Sequence, residues 1–535
     1  MHIPTCHSRQ IQGQVKRMVT TILLAMLFTG VDFAQSRVPT TAGVIEGTFH
    51  DGTGVREFKG IPYAAPPVGA GRWRAPRPVA RWRGIRKAQR FGAACIQRVA
   101  GSRLPWSSEF MVQEEISEDC LFLNVWTAAG SSRERRPVLV YLHGGGYQEG
   151  SGAVEVYDGS HLARRGLVVV TLNYRLGVLG YLAHPELTAE ARPRVSGNYG
   201  MLDQIAALRW VRQNIAAFGG DPARVTIAGQ SAGASSVHNL LASPLAKGLF
   251  HRAIAQSGSS VSGLPTASLD AAEKAGSRYA GALGAPTLRE LRGLKWEQLL
   301  AGAVPPVRFA PVIDGWALPV DALAAVTAGR HHDVPVLTGL NADEASSQPS
   351  YGRLTAAEFL RQAAERYGEL TPRFLALYPA GSDSEAATSQ KEAARDRNRV
   401  SMHLWAARRA RTSRTPAWTY YFSRAIPWPP FPQYGAFHTG EVPYVFGTTD
   451  RLDRPWQKID GEVRERMLSY WVNFVTAGNP NGAGLPDWPA FDPAREVTFE
   501  IGDRTGSLPI ASPPRRLFFT EYLQSPRLVR GSILF

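Results

Sequence analysis

The sequence predicts an α/β fold: a large, mostly parallel sheet flanked by helices. Two observations carry that expectation. Short apolar, β-rich runs recur along the chain, each followed by a glycine-rich turn and then by a helical pattern; strands that alternate with helices form parallel crossover units. The runs are also apolar at consecutive positions, as strands covered on both faces must be. With 535 residues, 44% of them hydrophobic and 20% charged, there is ample chain for a large core. Disordered and collagen-like chains are excluded.

Taken in order, residues 121–126, 138–142, 167–172 and 225–228 read as buried strands. Between the last two, residues 203–218 place Ile205, Leu208, Val211, Ile215 and Phe218 on one helical stripe. Residues 334–338 and 418–422 read as further strands, with a helical region from about 392 to 411 between them. The stretch from Pro427 to Tyr434 carries four prolines among aromatic residues. Proline removes a backbone donor, so an irregular loop over something worth covering is expected there. No repeat, low-complexity block or linker interrupts residues 37–535, which are read as one domain.

Residues 1–36 are read as a leader. Lys16 and Arg17 precede an apolar stretch from Met18 to Phe28, and Ala34-Gln35-Ser36 offers a small-x-small cleavage site. That is the pattern of a secretory signal peptide, with Met18 as an alternative initiator to Met1. The stretch is too short for a transmembrane helix, though an uncleaved anchor is the competing reading. The mature chain is therefore expected to be secreted or periplasmic, with no membrane span. Cys6 leaves with the leader, and Cys95 and Cys120 remain. Two thiols in an oxidising compartment are expected to bridge; two buried free thiols are the alternative.

Formal net charge is +15, from 60 basic and 45 acidic residues, and +13 after the leader is removed. The basic residues are nearly all arginines scattered between apolar ones, with no run of five or six. A nucleic-acid partner is not expected from that pattern. His331-His332-Asp333 has ligand-type residues, but neighbours on an extended chain point opposite ways, so it is read as surface loop.

The chemistry concentrates at Gly229-Gln230-Ser231-Ala232-Gly233, a G-x-S-x-G pattern that follows a predicted strand and opens a helix-compatible run. This strand–turn–helix setting is the nucleophile elbow of α/β-hydrolases, where a tight turn exposes the serine. A second element, His143-Gly144-Gly145-Gly146, follows the strand at 138–142. Bare glycine backbone can aim N–H groups at an anionic tetrahedral intermediate, together with the residue after the nucleophile. Gly145, Gly146 and Ala232 are the candidate oxyanion donors.

Around these motifs the chain resembles the type-B carboxylesterases, a family that includes the cholinesterases and many bacterial esterases. The segments Phe218-Gly219-Gly220-Asp221-Pro222 and Val225 through Gly233 are similar to its active-serine signature. Glu118-Asp119-Cys120-Leu121-Phe122-Leu123-Asn124-Val125 is similar to its second signature, whose cysteine bridges upstream, here to Cys95. Asn173-Tyr174-Arg175 and the segment from Gly197 to Gln204 also match. The resemblance implies an α/β-hydrolase fold with loop and helical insertions over the active site, and a Ser-His-Glu triad. The acid falls in Gly339-Leu340-Asn341-Ala342-Asp343-Glu344, where the match selects Glu344 over Asp343. The histidine falls in Gly435-Ala436-Phe437-His438-Thr439-Gly440-Glu441, where it selects His438; His403 is the nearest rival. Ser257 resembles a serine that hydrogen-bonds beside the triad. Cholinesterases carry Glu where this chain has Gln230, so a quaternary ammonium substrate is disfavoured and the bacterial branch is the better resemblance.

The expected function is thus a serine carboxylesterase that forms an acyl-enzyme on a small-molecule ester and needs no metal or organic cofactor. The aromatic loop at Trp428 and Phe431 suggests a bulky or aromatic acyl or alcohol group. A lipase, amidase or thioesterase would use the same residues. A non-catalytic adhesion protein on the same fold is the alternative from another class.

Overall fold

A computed structural model describes residues 36–259, 261, 266–303 and 308–525. The expected leader lies outside them, apart from Ser36. Among the described residues, the main sheet has eleven strands. In chain order these are β1 (Thr48–His50), β2 (Val55–Pro62), β3 (Phe122–Thr127), β4 (Arg136–Leu142), β5 (Val168–Leu172) and β6 (Gly220–Gln230). They continue with β7 (Arg252–Gln256), β8 (Val336–Asn341), β9 (Ala417–Phe422), β10 (Val497–Ile501) and β11 (Thr505–Pro509). Their order across the sheet is β11-β10-β9-β8-β7-β6-β4-β5-β3-β2-β1.

From β5 to β10 every neighbouring pair is parallel. These strands read as continuous apolar runs because helices cover both faces: all of β5, β8 and β9 is buried. The edges differ. Strand β3 pairs antiparallel with β5, β2 with β3, β1 with β2, and β11 with β10. Apolar character alone cannot reveal a strand's direction, so nothing in residues 121–126 marked β3 as antiparallel.

Several bounds shift from the sequence expectation. Strand β6 starts at Gly220, well before residue 225, and its register breaks between Gly220 and Val225. Pro222 lies in the gap; it has no N–H to give a ladder. The first helix that positions the site, α1, spans Tyr199–Asn214 and continues as a 3₁₀ turn over Ile215–Phe218. It begins earlier than residue 203 despite Gly200, a poor helix former. A Cβ on Gly200 would lie 2.4 Å from the Arg175 carbonyl oxygen, so close packing requires the glycine. All five residues of the predicted stripe are fully buried.

Helix α2 (Ala232–Ala242) starts directly after Ser231 and packs on β6 and β7. Helix α3 (Asp383–Ala410) starts earlier than residue 392, where the Ser382 hydroxyl caps the Glu385 N–H. Helices α4 (Val442–Phe446) and α5 (Lys458–Ala477) pack together beneath the His438 loop. The proline-rich stretch is irregular except for a 3₁₀ turn at Pro432–Tyr434. No helix among the described residues is long and apolar enough to cross a membrane. Cys95 and Cys120 form a disulfide that closes the segment between them.

Candidate active site

The elements that carry the candidate residues all end on one edge of the sheet, the carboxyl ends of its parallel strands, where open α/β sheets bind ligands. Ser231 follows β6, Ser257 follows β7, Glu344 lies just after β8, and His438 sits in the loop beyond β9. Strands β6, β7, β8 and β9 are consecutive neighbours. Residues far apart in the chain are therefore delivered to one place.

Ser231 has φ 58° and ψ −121°, a strained conformation for a residue with a side chain. The residues two positions to either side of it must be glycines. A Cβ on Gly233 would lie 2.0 Å from the Leu142 carbonyl oxygen, and one on Gly229 would lie 2.5 Å from the Gly233 carbonyl. The elbow is thus pressed against the end of β4. The Ser231 N–H donates to the Gln256 carbonyl at 2.9 Å, which ties the turn to β7.

The glycine loop after β4 packs on this serine, since a Cβ on Gly144 would come within 3.2 Å of the Ser231 Cβ. Gly145 and Gly146 both have positive φ (96° and 61°), and a Cβ on Gly145 would lie 2.0 Å from the Glu149 carbonyl oxygen. Ala232 is the first residue of α2, so its N–H belongs to a helix turn without internal acceptors. His143 supports the loop from behind. It stacks on Tyr174 with ring centroids 4.3 Å apart, and burial lowers its pKa to about 4, so it stays neutral.

His438 Nδ1 is in hydrogen-bonded contact with Glu344 Oε2. The other carboxylate oxygen, Oε1, accepts from the Ser257 hydroxyl at 2.7 Å and from the Asn341 N–H at 2.8 Å. Its neighbour Asp343 is committed elsewhere: it accepts from the Tyr351 hydroxyl (2.9 Å), the Arg395 guanidinium (2.6 Å) and the Ala436 N–H (3.0 Å). Asp343 thus anchors the loop that carries His438, two residues before it. His403 lies on α3, edge-on to Phe491 at 5.1 Å.

Three features of the site were not anticipated from sequence. The Gln230 side-chain amide lies 3.2 Å from His438 Nε2, so the residue before Ser231 reaches the histidine directly. Glu441 is fully buried beneath His438 and accepts from Gln256 Nε2 (3.0 Å) and Asn341 Nδ2 (2.6 Å). Burial, and then the nearby Glu344 charge, push its pKa up to about 7. Burial also disfavours the His438 imidazolium, but Glu344 and then Glu441 outweigh it, and the ring's pKa is raised. The third is Trp106, whose indole N–H donates to the Thr439 hydroxyl at 2.8 Å. Glu441 stood inside the motif segment; only its burial distinguishes it. Trp106 carried no sequence signal.

The His331-His332-Asp333 segment is not a cluster. His331 bonds Ser413, His332 bonds the Ser243 carbonyl, and Asp333 accepts from Arg414 and Thr415. In the aromatic loop, Trp428 packs on Phe431 at 4.9 Å, and the Arg454 guanidinium covers its ring at 3.9 Å. Those rings are occupied with one another.

A parallel sheet with a strained serine elbow at the end of a central strand defines an α/β-hydrolase. The chain belongs to the carboxylesterase family, which it matches over residues 34–511. It is 37% identical to the fumonisin B1 esterase of Sphingopyxis macrogoltabida over 489 residues, 88% of this chain and 86% of that one. It is 36% identical to the para-nitrobenzyl esterase of Bacillus subtilis (strain 168), with 85% and 92% of the two chains covered. With the human cocaine esterase the identity is 34%, over 88% and 89%. The protein is a carboxylic ester hydrolase.

Proposed function

We propose that this carboxylesterase works through Ser231, His438 and Glu344 by way of an acyl-enzyme. Ser231 Oγ attacks the ester carbonyl carbon while His438 Nε2 takes its proton. Glu344 holds the ring by Nδ1 and stabilises the imidazolium. The carbonyl oxygen becomes an oxyanion held by the N–H groups of Gly145, Gly146 and Ala232. Collapse expels the alcohol, which receives the proton from His438. Water, deprotonated by the same ring, then attacks the acyl-serine and releases the acid. The observation that carries this reading is the contact of one carboxylate with His438 Nδ1, while the residue adjoining Ser231 reaches Nε2 of the same ring.

The substrate is a small-molecule ester. The relatives' names refer to chemically different compounds, which favours no single acyl or alcohol group. A neutral amide at Gln230, together with the basic balance of the chain, disfavours a cationic alcohol moiety. The disulfide and the leader sequence support export of residues 37–535 as one hydrolase domain. The test is Ser231→Ala on a short-chain ester. The expected loss is on the order of 10⁴–10⁶ in turnover with the fold intact. A variant that kept a tenth of wild-type activity would rule out Ser231 as nucleophile.

A further inference from the structure

The loops bearing the two halves of the site leave the sheet at separate places. The glycine loop follows β4, the His438 loop follows β9, and β6, β7 and β8 lie between those strands. The disulfide-closed segment from Cys95 to Cys120 touches both. At one end, Gln97 is buried and clamps the backbone of Gly150: its Oε1 accepts the Gly150 N–H at 2.7 Å and its Nε2 donates to the Gly150 carbonyl at 2.9 Å. Gly150 in turn lies against His143, so closely that a Cβ there would sit 2.3 Å from His143 Nδ1. Gln97 therefore fixes the far end of the turn that presents Gly145 and Gly146.

Midway along the segment, Trp106 donates to the Thr439 hydroxyl, and Phe110 meets Phe437 edge to face at 5.8 Å. His438 is held between these two contacts. Thr439 has φ 79°, a left-handed conformation that a β-branched residue adopts only when its surroundings impose it. A single hydrogen bond from the indole meets its side chain, and the turn it sits in aims the imidazole.

We propose that the segment from Cys95 to Cys120 is a strap that sets the glycine loop and the histidine loop in register, with Trp106 and Gln97 as positioning residues for the ester hydrolysis. The inference rests on the reading of His438 and of Gly145 and Gly146 as catalytic groups. A strap of this kind acts on the transition state rather than on ground-state binding, because a misplacement of about 1 Å is felt in turnover. Its loss belongs in kcat and not in KM.

The experiment is a double-mutant cycle on the full mature chain with Trp106→Phe and Thr439→Val, which keep ring and branched shape while removing the donor or the acceptor. Each single variant is expected to lose roughly ten-fold in kcat, with KM within about two-fold. The double variant should lose no more than either single one, because both break the same bond. Thr439→Ser, which restores an acceptor, should recover most of the rate. The strap is overturned if both single variants turn over at the wild-type rate, if the loss appears in KM alone, or if the two losses multiply. Should Trp106→Phe fail to fold, the Thr439→Val and Thr439→Ser pair decides by the same criteria. Ser231→Ala run alongside separates the two readings. An inactive Ser231→Ala with wild-type strap variants sinks the strap only, whereas an active one sinks the catalytic assignment beneath it.

Discussion

Glu441 is a carboxyl group fully enclosed by protein and hydrogen-bonded to two neutral amides. Such a group resists ionisation, and its pKa stands near 7 instead of the ordinary carboxylate range. Because the folded-state value lies above the unfolded one, the neutral carboxyl stabilises the fold fully at low pH. That contribution is lost as pH rises from the unfolded value through about 7. Glu441→Gln removes the ionisation. Asn341 is held by a second donation to the Phe437 carbonyl, but the buried Gln256 Oε1 lacks a partner, so the Gln256 amide can turn to receive the new N–H group. Thermal midpoints measured from pH 5 to 9 should therefore decline less with pH in Glu441→Gln than in the wild type.

The same residue also bears on activity. In the proposed mechanism His438 must be neutral to accept a proton, so kcat/KM should rise with pH and level off, with a midpoint above the ordinary imidazole value of about 6.5. Removing the Glu441 charge should move that midpoint down. An upward or absent shift in the variant would show that Glu441 does not act on the ring. None of this was readable in sequence. A glutamate two positions past Thr439 looks like any other until its surroundings are known.

At the scale of elements, the short loop after β8 sends two adjacent carboxylates to different tasks. Glu344 meets His438, while Asp343 ties Ala436, Arg395 and Tyr351 together. Glu344→Gln keeps the shape but removes the charge opposite the imidazolium, so activity should fall by roughly 10³–10⁴. Asp343→Asn should stay within about ten-fold of the wild-type rate, yet lose about 1–3 kcal/mol of stability through its weakened contacts with a guanidinium and a buried N–H. Activity assays and denaturant unfolding of the pair check both halves; an inactive Asp343→Asn beside an active Glu344→Gln would move the acid by one residue. The sequence located the loop through its resemblance to the family; the buried strand before it does not by itself mark a carboxylate. The direction of β3 was hidden for a related reason, since pairing partners are not encoded in a run of apolar side chains.

For the whole molecule, the disulfide closes a segment of 25 residues in sequence separation. Such a loop is worth roughly 3–4 kcal/mol through the entropy it removes from the unfolded chain. Denatured, non-reduced mature protein should titrate with no free thiol. Reduction should lower the thermal midpoint, and by freeing the strap it should lower kcat before unfolding sets in. Two reactive thiols per chain in protein recovered from the periplasm or medium would contradict the bridge.

The sequence by itself determined what is local: the buried strands, though not their direction, the elbow glycines around Ser231 and the glycine turn at Gly144–Gly146. These depend on sterics and periodicity within a few residues, which a linear reading can follow. The resemblance had already preferred Glu344 to Asp343; the tertiary structure supplied the contact itself, with His438 94 positions away, and what surrounds Glu441, whose partner Asn341 is 100 positions distant. It also decided that Trp106 meets Thr439 across a separation of 333. Those contacts arise because a sheet of parallel strands gathers remote loops on one edge, and burial there sets the charge of each group; neither proximity nor burial is a property of a residue alone.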